Sequence, residues 1–164
     1  MKYVQECLPD LAKTIDEEFG PGTADKTRPL NHTRNVRFLF QVNQLYKDPA
    51  QTQPFAVENI LNTLSDFQNH GMVEQDYGLV AIVHAEGWPL ILDNNATGNH
   101  QTANPFQADM EDLLGRNIHV FFCLNTARKK NVRASQVISG VKFVTSGVTA
   151  IADFQAEGYQ YIQP

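Results

Sequence analysis

The sequence has little cysteine: only Cys7 and Cys123 occur in 164 residues. Their spacing fits neither a disulfide framework nor a zinc knuckle, which argues against a stapled secreted scaffold and favours a reducing compartment. Also missing is any run approaching the roughly 20 apolar residues that cross a bilayer. Residues 1–10 carry no basic stretch followed by an apolar one, so a cytoplasmic protein with no membrane role is expected. No GxGxxG follows a strand-like run, and neither GxxxxGK[ST] nor GxSxG occurs, which leaves nucleotide-dependent chemistry and serine hydrolysis without support. The histidines and cysteines show no HxH, HExxH or CxxC spacing, so neither a metal nor a cofactor is expected.

Acidic residues are absent from one long segment. Residues 113–152 hold no Asp or Glu and six basic residues, Arg116, Arg128, Lys129, Lys130, Arg133 and Lys142, in a chain whose net charge is −5. Residues 1–112 hold sixteen acids against seven Lys and Arg. If the basic side chains gather in space they form a positive region suited to an anion or an acidic partner face; otherwise they are a solvated charge run. The run at 128–133 is short and has no interleaved aromatics, so direct nucleic-acid binding is not expected.

What is present is a repeating apolar pattern. The segment Val36–Val42 reads VRFLFQV, and similar runs recur at 79–83, 118–124 and 141–144. Their nearly continuous apolar character is that of strands covered on both faces. Between the first two, Val57, Ile60, Leu61, Leu64 and Phe67 fall at helical spacing over 54–70, with Pro54 in the first turn and Gly71 at the C-terminal cap. A second helix is predicted at 104–116 on Phe106, Met110, Leu113 and Leu114. A third, at 146–158, rests on Val148, Ile151 and Phe154, with a last short strand at 159–162. Strict alternation favours parallel pairing, hence an α/β fold: a three-layer α/β/α sandwich with a five-stranded parallel sheet. Two stretches stand outside this unit. Residues 1–35 read as an N-terminal extension, an acidic helix at 8–19 followed by a loop or arm, and 93–103 read as a polar link.

Cys123 ends the third predicted strand, just before Asn125 and Thr126, either of which suits the cap of a following helix. That puts the sulfur at the carboxyl edge of the sheet, where open α/β folds build their sites. A helix amino end and the adjacent Arg128, Lys129 and Lys130 favour thiolate over thiol, and a thiolate can hold and pass on sulfur as a persulfide. The alternative is a small buried hydrophobe at a strand end, and Cys7, without basic neighbours of that kind, is read that way. His84, predicted at the end of the second strand, is either a proton carrier, donor or ligand beside Cys123 or a structural histidine bonding loop backbone.

Four ordered segments resemble the DsrE/DsrF-like sulfur-relay family. The first, Cys123-Leu-Asn-Thr-Ala-Arg-Lys-Lys-Asn-Val132, is similar to its strand-end cysteine followed by a basic pair and a Gly-Val or Gly-Ile step. The second, Val83-His84-Ala-Glu-Gly87, is similar to its Val-His-Gly strand end, and Val144-Thr-Ser-Gly147-Val148 and Gln155-Ala-Glu-Gly158-Tyr-Gln-Tyr-Ile162 complete the series. Asn131 and Ala85 stand where the family usually has Gly, and residues 1–35 match nothing in it.

The resemblance covers residues 36–164 and implies a parallel five-stranded domain that assembles into a homo-oligomer, a trimer or hexamer. It further implies a carrier of sulfane sulfur, at most an accessory sulfurtransferase, working between donor and acceptor proteins. The carrier cysteine corresponds by motif to Cys123; the residues themselves, not the resemblance, suggest Arg128 and Lys129 as stabilisers of the anion and His84, Asn43, Asn125 and Thr126 as supports, from their charge and predicted strand-end location. Two other readings share the architecture. One is a small-ligand or anion-binding or assembly module with an incidental cysteine. The other is a flavodoxin-like carrier, disfavoured by the lack of a Ser/Thr-rich cradle after the first strand.

Overall fold

The computed structural model describes residues 2–45, 54–96 and 103–164. Five strands, β1 (Val36–Val42), β2 (Tyr77–Val83), β3 (His119–Cys123), β4 (Lys142–Val144) and β5 (Gln160–Ile162), form one all-parallel sheet in the order β4-β3-β2-β1-β5. The strand runs sit where the apolar pattern predicted them because β1 and β2 are buried on both faces. Phe40, Val42, Ala81 and Val83 point into one core, and Leu39, Val80 and Ile82 into the other.

Among the described residues six α-helices accompany the strands: α1 (Val4–Cys7), α2 (Pro9–Phe19), α3 (Phe55–Asn69), α4 (Gln107–Gly115), α5 (Leu124–Lys130) and α6 (Gly147–Ala156). The chain steps outward from β1 through β2 and β3 to β4, then returns past all of them to β5 beside β1. With crossovers of one hand, the first three connections cover one face of the sheet and the returning one covers the other. The cores agree: Val57, Ile60, Met110, Leu113 and Ala127 join the first, while α6 lies over the second through Ala150, Ile151 and Phe154. Among the described residues the third layer is that one helix. Phe121 stays half-buried on that side, its ring 5.5 Å from Phe154 and 6.0 Å below the Lys142 ammonium.

The predicted acidic helix at 8–19 is α2, which starts at Pro9 because proline has no N–H to continue a helical ladder but fits the first helical position; the short α1 before it lies outside that prediction. With the turn Ala24–Lys26 these helices close a small cluster of Val4, Ala12 and Ala24, bordered by Leu8, Leu11 and Ile15 and separate from both cores of the sheet. Residues 97–102 of the predicted polar link, including His100, lie outside the described residues. Among the described residues no helix is long and apolar enough to cross a membrane.

Candidate functional site

Cys123 ends β3 in extended geometry and α5 begins at Leu124, so the cysteine itself takes the cap position. Asn125 and Thr126, expected to cap, lie in the first turn instead, since the chain turns helical immediately after the sulfur-bearing residue. Register pairs Cys123 with Val144 on β4, the strand that leads into α6. The Gly147 amide, in the first turn of α6, donates to the sulfur at 3.2 Å. Two helix amino ends thus converge on one atom. Burial, at 4% exposure, pushes the thiol up. The amide and hydroxyl of Thr126 and the amides of Gly147 and Asn125 outweigh it and hold the thiol below its ordinary value.

His84 follows β2 and is half-buried, and burial lowers its pKa. The Gln41 side-chain amide sits 2.7 Å from His84 Nε2. With its amide nitrogen facing the ring, Gln41 donates to Nε2, and the proton of neutral His84 is then on Nδ1; the Gln41 oxygen meets the Tyr161 hydroxyl, which also reaches Gln163. The imidazole lies against Gly147: a methyl group there would meet the ring carbons at 3.0–3.2 Å. The same glycine therefore touches both the sulfur and the histidine. Gln41 and Tyr161 belong to β1 and β5, the two strands between which the sheet order reverses, a position where α/β sheets gather ligands. Sequence reasoning missed this pair, since a Gln and a Tyr 120 residues apart carry no spacing signal.

The supporting residues divide. Thr126 is buried and its hydroxyl oxygen accepts the Ala85 amide at 3.0 Å, joining the turn after β2 to the turn after β3. Asn43 accepts a hydrogen bond from Gln163 at 3.3 Å, on the β1–β5 side. Asn125 directs its side-chain oxygen to the Arg128 guanidinium at 3.0 Å and only its amide toward the sulfur. Arg128 and Lys129, expected to stabilise the thiolate, are exposed in the last turn of α5 and are not among the groups acting on the thiol. There they complement the carboxyl end of the helix. Nor does the basic segment form one free patch: Lys130 pairs with Glu86 at 2.8 Å and Arg116 with Asp112 at 2.8 Å.

Both departures from the resembled pattern have a structural account. Asn131 has φ 56° in the left-handed region, which Asn tolerates well. Ala85 has φ 47°, a conformation that glycine enters without strain and alanine does not. Gly87 is required for space, since a Cβ there would stand 2.4 Å from the Val42 carbonyl oxygen. Among the described residues no three His, Cys, Asp or Glu side chains gather closely enough to hold a metal ion.

Comparison with known proteins agrees with this geometry. The family model of the DsrE/DsrF-like family matches residues 36–164. The chain belongs to the DsrE/DsrF-like family. Two solved structures share its fold. One, a protein of unknown function, MTH1491, from Methanobacterium thermoautotrophicum, has a TM-score of 0.63 at 22% identity, over 79% of this chain and 100% of that one. The other, the ychN protein from E. coli, has a TM-score of 0.57 at 13% identity, over 79% of this chain and 99% of that one. No curated protein matches the sequence. The DsrE/DsrF-like match takes in Cys123, His84, Gly147 and Tyr161 and leaves out residues 1–35.

Proposed function

We propose that this DsrE/DsrF-like protein is a sulfur carrier that holds sulfane sulfur as a persulfide on Cys123. The observation that carries the reading is the ring of donors around the sulfur: the Gly147 amide at 3.2 Å and the first-turn groups of α5, which together lower the thiol pKa despite burial. In the transfer, the Cys123 thiolate attacks the outer sulfur of a donor persulfide. The donor S–S bond breaks, the donor leaves as a thiolate, and a Cys123 persulfide forms. An acceptor thiolate reverses the sequence, so sulfur moves with no net oxidation. His84, neutral and carrying its proton on Nδ1, is the nearby proton carrier in this scheme. The protein acts at most as an accessory sulfurtransferase, in the cytoplasm, as a homo-oligomer that meets donor and acceptor proteins. Residues 1–35 form an extension appended to the domain at 36–164.

The depth of Cys123 favours a second reading, an anion-binding or assembly module in which the cysteine is incidental. Mass spectrometry of the native protein after polysulfide treatment separates the two. The carrier reading expects one added sulfur on Cys123 and none in Cys123→Ser. Equal loading of exposed Cys7, or no loading at either cysteine, leaves the binding-module reading in place.

A further inference from the structure

A second concavity lies at the opposite end of the sheet from Cys123. Residues 28–35 run from the N-terminal helices into β1, and between that segment, the start of β1 and residues 158–160 opens a groove of about 650 Å³. Its size falls within the range of small-molecule sites, about 300–1,000 Å³. Arg28, His32, Arg34 and Arg37 line it, no Asp or Glu does, and half-buried Phe38 supplies an aromatic floor, backed by the buried Phe67 ring 5.7 Å behind it. This basic lining belongs to the acidic part of the chain, where residues 1–112 hold sixteen acids against seven Lys and Arg.

The cations are not neutralised by carboxylates within the groove. Arg28 and His32 make no ion pair or side-chain hydrogen bond among the described residues. Arg37 donates to the Glu157 carbonyl at 3.3 Å and stacks 5.7 Å over Tyr159, so it keeps its charge. Arg34 stands 3.7 Å from Asp76, but its side chain is 85% exposed and water screens that pair. The wall is also held in place. The Leu30 amide donates to His70 Nε2 at 3.1 Å, and His70 Nδ1 in turn donates to the Asp66 carbonyl at 2.8 Å at the end of α3. Residues 28–35 lie outside the family match, so the wall is an addition to the DsrE/DsrF-like domain.

We propose that this groove binds a small organic anion, an aromatic body carrying a phosphate, with the body on Phe38 and the phosphate on the arginines. Guanidinium groups match phosphate oxygens in a fixed fork, and aromatic faces receive planar rings without hydrogen-bond demands. An anion alone would find no use for the floor, and an apolar body alone would leave the arginines unanswered. This site is independent of the reading given to Cys123.

Titration of the full-length protein with 1-naphthyl phosphate, 1-naphthol and inorganic phosphate, followed by calorimetry and amide chemical shifts, tests it. The expected result is saturable binding of 1-naphthyl phosphate with a Kd below about 1 mM, at least about tenfold tighter than either fragment. Shifts should concentrate at Phe38, Gly158 and Gln160. Arg28→Gln with Arg34→Gln, both at exposed positions, should weaken 1-naphthyl phosphate by about tenfold or more, while Lys129→Gln should leave it unchanged. Equal affinity for 1-naphthol, indifference to the double substitution, or shifts confined to the Cys123 end would overturn the proposal. So would dissociation of a native oligomer by the double variant without any 1-naphthyl phosphate binding, which would make the groove a contact between copies.

Discussion

Gly147 meets Cys123 and His84 in a space too small for one more carbon. Its amide donates to the sulfur while its missing side chain lets the imidazole approach. Gly147→Ala should push the ring or the first turn of α6 away, weaken that hydrogen bond and raise the Cys123 thiol pKa toward the ordinary value. Alkylation rate against pH, with exposed Cys7 as internal control, reads the change. Replacing Arg128 and Lys129 by Gln should leave that profile in place, because neither group acts on the thiol; a large upward move would restore them as its stabilisers. His84 gives a second pH signature. Burial lowers its native pKa below 6.5, so on acidification the unfolded chain takes up a proton that the native chain resists. Stability from this group is therefore complete above 6.5 and is lost as pH falls toward the native pKa. His84→Gln should flatten the dependence of the denaturation midpoint on pH in that window, and an unchanged slope would assign it to other groups.

At the scale of elements, β3 is the strand that carries both core and site, and Phe122 in it is fully buried, its ring 6.4 Å from that of Phe143. Phe122→Ala should cost about 3–5 kcal/mol through lost burial and a residual cavity, measured as a shift in the urea midpoint at constant slope. In the turn after β2, Ala85→Gly should be neutral or stabilise by up to about 1 kcal/mol, against the usual loss for this exchange, because glycine relieves the left-handed backbone. Loss of a full kcal/mol would show that the Ala85 methyl group contributes packing that outweighs the strain. These elements were legible in the sequence for a physical reason. Strands buried on both faces give unbroken apolar runs, and α3 shows one clean stripe. Even the three-residue β4 showed as the apolar run at 141–144, and β5 followed from its place after the last helix. Less legible was what joins them. The cap moved from Asn125 or Thr126 to Cys123, and the Gln41–Tyr161 contact stayed hidden, because polar pairs between strand ends depend on register and sheet order. The basic run misled for a related reason: α5 is short, yet its rise carries Arg128 and Lys129 to the end away from the sulfur.

For the whole molecule, the sandwich is uneven. Among the described residues three helices and a helical turn cover one face of the sheet, whereas α6 alone covers the other, packing chiefly over β1 and β2. Over β3 and the edge strand β4 that layer thins: Phe121 meets Phe154 at 5.5 Å yet stays half-buried, with exposed His119 and Lys142 beside it. Exposed apolar side chains lie on both faces near this edge: Val148 is 68% exposed in the first turn of α6, whereas Leu124 and Phe143, 39% and 38% exposed on α5 and β4, belong to the other side, with Phe143 beside Phe122. A three-residue edge strand with unpaired backbone groups adds a site where a second chain can add order. The expectation of a homo-oligomer of three or six chains places this edge in a contact between copies. Light scattering of the full-length protein at micromolar concentration should give a mass of three or six chains. Val148→Asp should shift it toward the monomer with the circular dichroism spectrum unchanged, since the valine makes little use of its side chain within one chain. A monomeric mass for the native protein would mean that the open flank faces water, and the carrier reading would then have to bring donor and acceptor to Cys123 without help from a neighbouring subunit.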